Sequence, residues 1–359
     1  MALRYGRARP SARRVFKAVA YQAKDDPVRL IAERARPKIA VALRQAFKAL
    51  RNAVPEGAIA ARVAAGDPTG AADAVNIATF EHALRPAFEQ MADSYRAAMK
   101  VGGGQIKRHR VGKDSSTFSG EEQQPDPWAV DLFGDDVLAE LRSLQDTLIG
   151  GMTDQMRQRV FATIMDGVSK NLPVDDIARQ VKTECGLSVR LAKAIRSYRS
   201  GLEQLDPAVL ARALRDESGD ASIRAAIDAG QALSKDEIDD LVLAYADRAL
   251  EYRAKMIAQT ESTRAANMGL EAAYRQMIGS GLMPAGAVKK FWHVSLDEKT
   301  CGECLMVAIA ANAGIAVGEL FTGSDDNPVQ TPPLHPSCRC SLSYVTNLDL
   351  VPNAMSEAA

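Results

Sequence analysis

The sequence predicts a mainly α protein, helical through its N-terminal and central regions, that ends in a small C-terminal α+β module. Three observations lead there. Alanine is abundant while aromatic residues make up only 5% of the chain, a composition that suits helices. Apolar residues recur at three- and four-residue steps through much of the first 280 positions. After Gly279-Ser280-Gly281 that period gives way to alternation and a cluster of cysteines. At 359 residues the chain is long enough for two or three domains and a sizeable core.

Five segments are predicted. They are a basic helical N-terminal region at 1–100, a linker at 101–131, a helical region at 132–280, a Cys/His module at 281–346 and a tail at 347–359. Residues 1–24 read as a basic arm or short helix. From Pro27 to Arg51 the apolar positions Leu30, Ile31, Ile39, Leu43, Phe47 and Leu50 predict helix, with Pro37 splitting it in two. The turn Asp67-Pro68-Thr69-Gly70 precedes a further helical run from about Ala71 to Lys100.

Formal net charge is zero but unevenly spread. Residues 1–51 carry fourteen Arg and Lys against three acids, a net +11. From Asp297 onward, two bases face eight acids, a net −6. Such asymmetry points to a polyanion or an acidic partner at the N-terminus. Arg4, Arg7, Arg9, Arg13, Arg14 and Lys17 are the candidate contacts, to DNA phosphates or to an acidic protein surface. A solvated arm that does neither is the third option, and no aromatic interleaving points to base stacking. No apolar run approaches the length of a membrane span, so no membrane partner is expected.

Gly102-Gly103-Gly104 is expected to break the helix, and Ser115 to Pro127 has almost nothing to bury. Helical pattern resumes near Asp136 and runs towards Ser169, with Leu138, Leu141, Leu144 and Leu148, then Met152, Met156, Val160 and Ile164. Methionines at that spacing are core. A new helix starts at Pro173-Val174-Asp175-Asp176 and ends near Cys185, read as a small buried hydrophobe. Ser188 to Gly201 reads as a basic helix. Ser234 with Glu237 forms a capping box that opens a long helix to about Gly279.

One face of that long helix, Leu250, Ala254, Ile257, Glu261, Ala265, Met268 and Ala272, is apolar except for Glu261. A carboxylate on a buried stripe is costly unless paired. Arg339 is the partner expected, with backbone amides of the cysteine turns as the alternative. Glu261 is thus read as a structural pin rather than a general base. The adjoining face, with Thr260, Arg264, Asn267 and Glu271, is suited to docking polar loops or another chain.

Phe291 to Leu296 alternates as a strand with Trp292 inward, and Asp297 supports the turn into Cys301. His293 faces away from Trp292 in that reading. A short helix from Leu305 to Ala311 and a strand from Ser341 to Val345 complete the module. Four of the five cysteines fall here, as Cys301-x-x-Cys304 and His335-x-x-Cys338-x-Cys340. Two close-spaced ligand pairs separated by a loop are what a tetrahedral zinc site needs. Five candidates compete for four places. Cys301, Cys304, His335 and Cys338 are favoured because H-x-x-C mirrors C-x-x-C in reach, which leaves Cys340 as support or alternative ligand. No signal peptide is legible at the start, which favours metal over disulfides. A set with four protein ligands is closed, so the zinc would be structural.

The run Ala258-x-Thr260-Glu261, then Trp292 followed by D-x-x-T-C-x-x-C, then P-P-x-H-P-x-C-R-C resembles the Mu-F-like minor head proteins of tailed phages. This head-morphogenesis family is found beside the portal protein. The resemblance covers roughly residues 150 to 345, and the first 130 residues carry no part of it. It implies a structural or assembly protein of the phage head, made in the host bacterial cytoplasm and carried in the virion. Its partners would be the portal protein or the capsid interior, with genomic DNA as a further candidate.

Two other classes compete. A zinc enzyme would need motifs such as H-x-E with P-C-x-x-C, or H-E-x-x-H, and neither is present. With four histidines in the chain, catalytic metal chemistry is poorly supplied, and no enzyme is expected. A DNA-binding protein using the cysteine module itself is disfavoured by that module's acidity.

Overall fold

The computed structural model describes residues 26–110, 129–295, 300–322, 328–347 and 350, with side chains of 106–110 excepted. Its helices are α1 (Pro27–Asn52), α2 (Glu56–Ala64), α3 (Pro68–Asp73), α4 (Ala78–Ala83), α5 (Arg85–Arg110), α6 (Asp135–Ser169), α7 (Val174–Glu184), α8 (Val189–Glu203), α9 (Asp220–Ala229), α10 (Lys235–Gly279) and α11 (Gly302–Ala310). Three strands, β1 (Val288–His293), β2 (Ile315–Ala316) and β3 (Ser341–Thr346), form an antiparallel sheet in the order β2-β1-β3. The chain is therefore mainly α with a small C-terminal α+β module. Among the described residues no helix is long and apolar enough to cross a membrane.

The chain divides into two compact units built from discontinuous segments. The all-α unit takes residues 39–88 and 143–255. The mixed unit takes the described parts of 1–38, 89–142 and 256–359.

Inside the all-α unit, Phe47 stacks on Phe80 at 5.3 Å and Tyr198 on Tyr245 at 4.6 Å. Met152, Met156, Val160 and Ile164 are all buried, as their spacing predicts. Each such burial contributes about 1.5–3 kcal/mol. Buried charge is paired: Glu184 accepts from Arg159, Arg196, Gln180 and Thr163, and Arg51 meets Asp247. Cys185 is buried, and that burial pushes its thiol up to about 11, as a small hydrophobe requires. Ser234 and Glu237 cap the start of α10 reciprocally.

Three expectations need correction. Pro37 lies inside one continuous helix, α1, rather than dividing it. Its ring is exposed, and the buried stripe Ile39, Leu43, Phe47 and Leu50 holds the following turns regardless. The glycines at 102–104 do not end a helix either, because α5 runs on to Arg110. A Cβ on Gly102 would lie 2.8 Å from the Ala273 Cβ, so glycine there serves a close helix-to-helix approach. Gly269 does the same from the other side: a Cβ there would sit 2.1 Å from the Tyr95 carbonyl oxygen. Finally, residues 71–100 are not one run, since α3 and α4 precede α5.

In the mixed unit, β1 pairs with β3 so that Trp292 opposes Leu342 and His293 opposes Ser341. The strand begins at Val288 and ends at His293, earlier than the alternation suggested. Trp292 is buried as expected, edge-on to Phe321 at 5.2 Å. The two-residue strand β2 was not foreseen, being too short to leave a pattern.

Candidate metal centre

Cys301 is the N-cap of α11, and its sulfur accepts the Cys304 amide at 3.3 Å. The C-x-x-C spacing is thus the N-cap-to-N3 step of a helix, which points both sulfurs at a helix N-terminus where negative charge is favoured. The second arm is a turn. Pro336 takes its second position and Ser337 its third, with φ 61°, and the Cys338 amide donates to the His335 carbonyl at 3.1 Å. A left-handed serine is strained, so the turn needs outside support.

The two arms meet. His335 Nε2 lies 3.0 Å from Cys301 Sγ and 3.2 Å from Cys304 Sγ, and Cys304 Sγ lies 3.7 Å from Cys338 Sγ. Ligand atoms of Cys301, Cys304 and His335 fall within 4.8 Å of one another, as do those of Cys304, Cys338 and Cys340. All five candidates therefore join one cluster that could hold a metal ion, and Cys304 belongs to both triads. None of the cysteines is in a disulfide.

Electrostatics within the cluster are collective. The Cys338 thiol is held well below its ordinary range, first by the hydrogen bond it shares with Cys304. Cys304, the other partner in that bond, is pushed well up. His335 Nδ1 donates to the Pro336 carbonyl at 2.9 Å, which leaves Nε2 as the free lone pair facing the sulfurs.

Support for the turn comes from one stripe of α10. Thr260 Oγ accepts the Ser337 amide at 2.9 Å. Gln259 and Thr263 donate to the Cys338 carbonyl at 3.3 and 3.4 Å. Asn267 bridges, donating to the Cys340 carbonyl at 3.4 Å and accepting the Leu342 amide at 2.8 Å. One turn on, Glu271 is 1% exposed and pairs at 3.1 Å with Lys290, which is 0% exposed. Glu271 also accepts from Gln330, the Gly318 amide and the Tyr344 hydroxyl. Burial lowers the Lys290 pKa, against the pull of Glu271. The ammonium also sits 5.1 Å from the centre of the Phe321 ring.

The polar face of Thr260, Asn267 and Glu271 docks loops of this same chain. Glu261 departs from expectation: its ion pair in the structure is with Arg264, one turn along α10 at 3.0 Å. An adjacent arginine on the same helix meets the need first, and Arg339 lies instead along a crevice with Arg36. Burial still raises the Glu261 carboxyl above its ordinary value, with Arg264 opposing. His293 is buried, bonded to Ser343 of β3. Asp297 and the arm residues Arg4, Arg7, Arg9, Arg13, Arg14 and Lys17 lie outside the described residues.

Sequence reasoning missed Lys290, Gln259, Thr263 and Tyr344. For Lys290 a signal existed: Val288, Lys290 and Trp292 share one strand face, and that face is buried. A lysine there demands a carboxylate. No protein-family model, curated protein or solved structure matches this chain.

Proposed function

We propose that this chain is a structural or assembly protein of a tailed-phage head, acting at the portal or the capsid interior, with a structural zinc ion in its Cys/His cluster. One observation carries the reading. The A-x-T-E helix and the P-P-x-H-P-x-C-R-C loop, about eighty residues apart, join through Thr260 and the Ser337 amide at 2.9 Å. The two halves of the family-like motif thus form one unit, as they would if the motif encodes a fold rather than a reaction centre.

Zinc fits the donor set. Thiolate bonds of about 2.3 Å place two sulfurs of a tetrahedron about 3.8 Å apart. Cys304 and Cys338 stand at 3.7 Å. Cys301, Cys304, His335 and Cys338 are the preferred ligands, with Cys340 as alternate. Metal, when bound, would cross-link the N-terminus of α11 to the His335 turn and add folding free energy. Four protein donors leave no coordination position for substrate, which favours a structural over an enzymatic role.

The test is co-expression with the portal protein encoded in the same genome, followed by affinity capture and by mass spectrometry of assembled heads. The proposal predicts a stable complex and the chain's presence in particles. Absence from both would refute it.

A further inference from the structure

Helix α6 is apolar on two sides. Met152, Met156, Val160 and Ile164 face the interior of the all-α unit. The outer side carries Phe161, Met165 and Val168, each 41% exposed, and Leu172, just past the helix end, is 37% exposed. Gln158, Ala162 and Ser169 alongside them are exposed and uncharged. A helix with two apolar sides calls for cover on both.

The spacing of the outer stripe selects the cover. Steps of four, three and four residues are the a/d spacing of a helix-to-helix seam. That order is the same in both directions, so an antiparallel copy of α6 sets Phe161 against Leu172 and Met165 against Val168. Leu172 is held at the end of the stripe by a Schellman turn. In it Asn171 takes φ 51°, and the Asn171 and Leu172 amides donate to the Val168 and Gly167 carbonyls, both at 3.0 Å. Leu172 also lines a cavity of about 600 Å³, which leaves room beside it for the Phe161 ring of the second copy.

The charges select the same arrangement. Arg157, four residues before Phe161, has a long ion pair with Asp154 at 3.8 Å, between two exposed side chains. Asp175, three residues after Leu172, is exposed in the first turn of α7 and pairs with no cation among the described residues. Antiparallel packing brings Arg157 of each copy towards Asp175 of the other. Parallel packing would set Arg157 against Arg157, which is repulsive.

We propose that the outer stripe of α6 is a self-association surface, on which a second copy of this chain packs antiparallel about a two-fold axis between Met165 and Val168. The seam is shorter than a standard interface of about 1,600 Å², so the dimer is weak, with a dissociation constant of about 1–100 μM. The surface stands on α6 and the start of α7, independently of which other partner the chain serves.

Sedimentation equilibrium of the full chain over about 1–300 μM at low salt tests this. A reversible monomer–dimer equilibrium is expected. Met165→Glu places a charge in the seam and should weaken it about tenfold or more, with circular dichroism checking that this exposed substitution leaves the fold intact. Arg157→Glu removes two symmetric pairs and should weaken it about three- to tenfold. Adding Asp175→Arg to Arg157→Glu should restore it. Monomer throughout that range, or growth past the dimer, would overturn the proposal. So would a dimer that Met165→Glu leaves intact. A dimer insensitive to Arg157→Glu, or not restored by Asp175→Arg, would overturn the antiparallel pairing.

Discussion

The two compact units both bury large apolar side chains but use their polar contacts differently. In the all-α unit, large apolar side chains such as Phe47, Phe80 and Ile195 fill the interior, and charges such as Glu184 sit under arginines. In the mixed unit, a three-stranded sheet and a cysteine turn lie on a polar helix stripe of Thr260, Thr263, Asn267 and Glu271. A sheet this small, one strand of which spans only two residues, supplies little apolar area to bury. Directed hydrogen bonds, a buried ion pair and a ligand cluster add to the apolar packing of Tyr95, Leu270, Tyr274, Trp292 and Phe321 in this unit.

That contrast is open to mutation. The largest effect is expected from Glu271→Leu, which strands the Lys290 ammonium and leaves three further donors unsatisfied. Breaking one partner of a buried pair costs about 3–5 kcal/mol. Urea unfolding should show that loss, and the double variant Glu271→Leu/Lys290→Met should recover much of it. A double variant as unstable as the single would show that the pair is not the organising contact.

Phe47→Ala tests the other side. Removing a fully buried phenylalanine costs about 3–5 kcal/mol. The expected outcome is a lower denaturation midpoint with metal stoichiometry unchanged. If metal were lost from folded protein, the two units would not differ in kind.

A smaller effect is expected from Asn267→Ala, which leaves the Leu342 amide and the Cys340 carbonyl without their side-chain partner. The cost is about 1–3 kcal/mol. Support lost around a metal ligand also lowers metal affinity about 10- to 100-fold, measurable by competition with a chromophoric chelator.

The smallest effect is from pH. Burial raises the folded Glu261 carboxyl above its ordinary 4.5. The folded state therefore binds that proton more tightly than the unfolded state. Its contribution is fully present below the unfolded pKa and is lost as pH rises through the folded one. Glu261→Gln should flatten stability over that window. An unchanged slope would remove Glu261 as its source.

Legibility in the sequence follows the same division. The all-α unit could be read from periodicity, since Met152, Met156, Val160 and Ile164 face the interior and the Ser234–Glu237 capping box forms. Local punctuation misled where packing outweighed it, at exposed Pro37 and at Gly102 against Ala273. The cysteine cluster was legible because ligand spacing is a local geometric fact. The Glu271–Lys290 pair was not, because it joins positions nineteen residues apart across a helix and a strand. Glu261 attracted attention as a lone carboxylate on an apolar face, yet a neighbour on its own helix answers it.

The most direct test of the account is the metal content of chain purified without chelator, paired with amide exchange on Cys304→Ser. Cys304 belongs to both ligand triads, so its loss spares neither. The account predicts about one zinc per chain. In Cys304→Ser the metal should be absent, with protection lost across residues 256–347 and kept across 143–255. Metal-free wild-type protein, or a variant that loses its metal with protection intact, would contradict it.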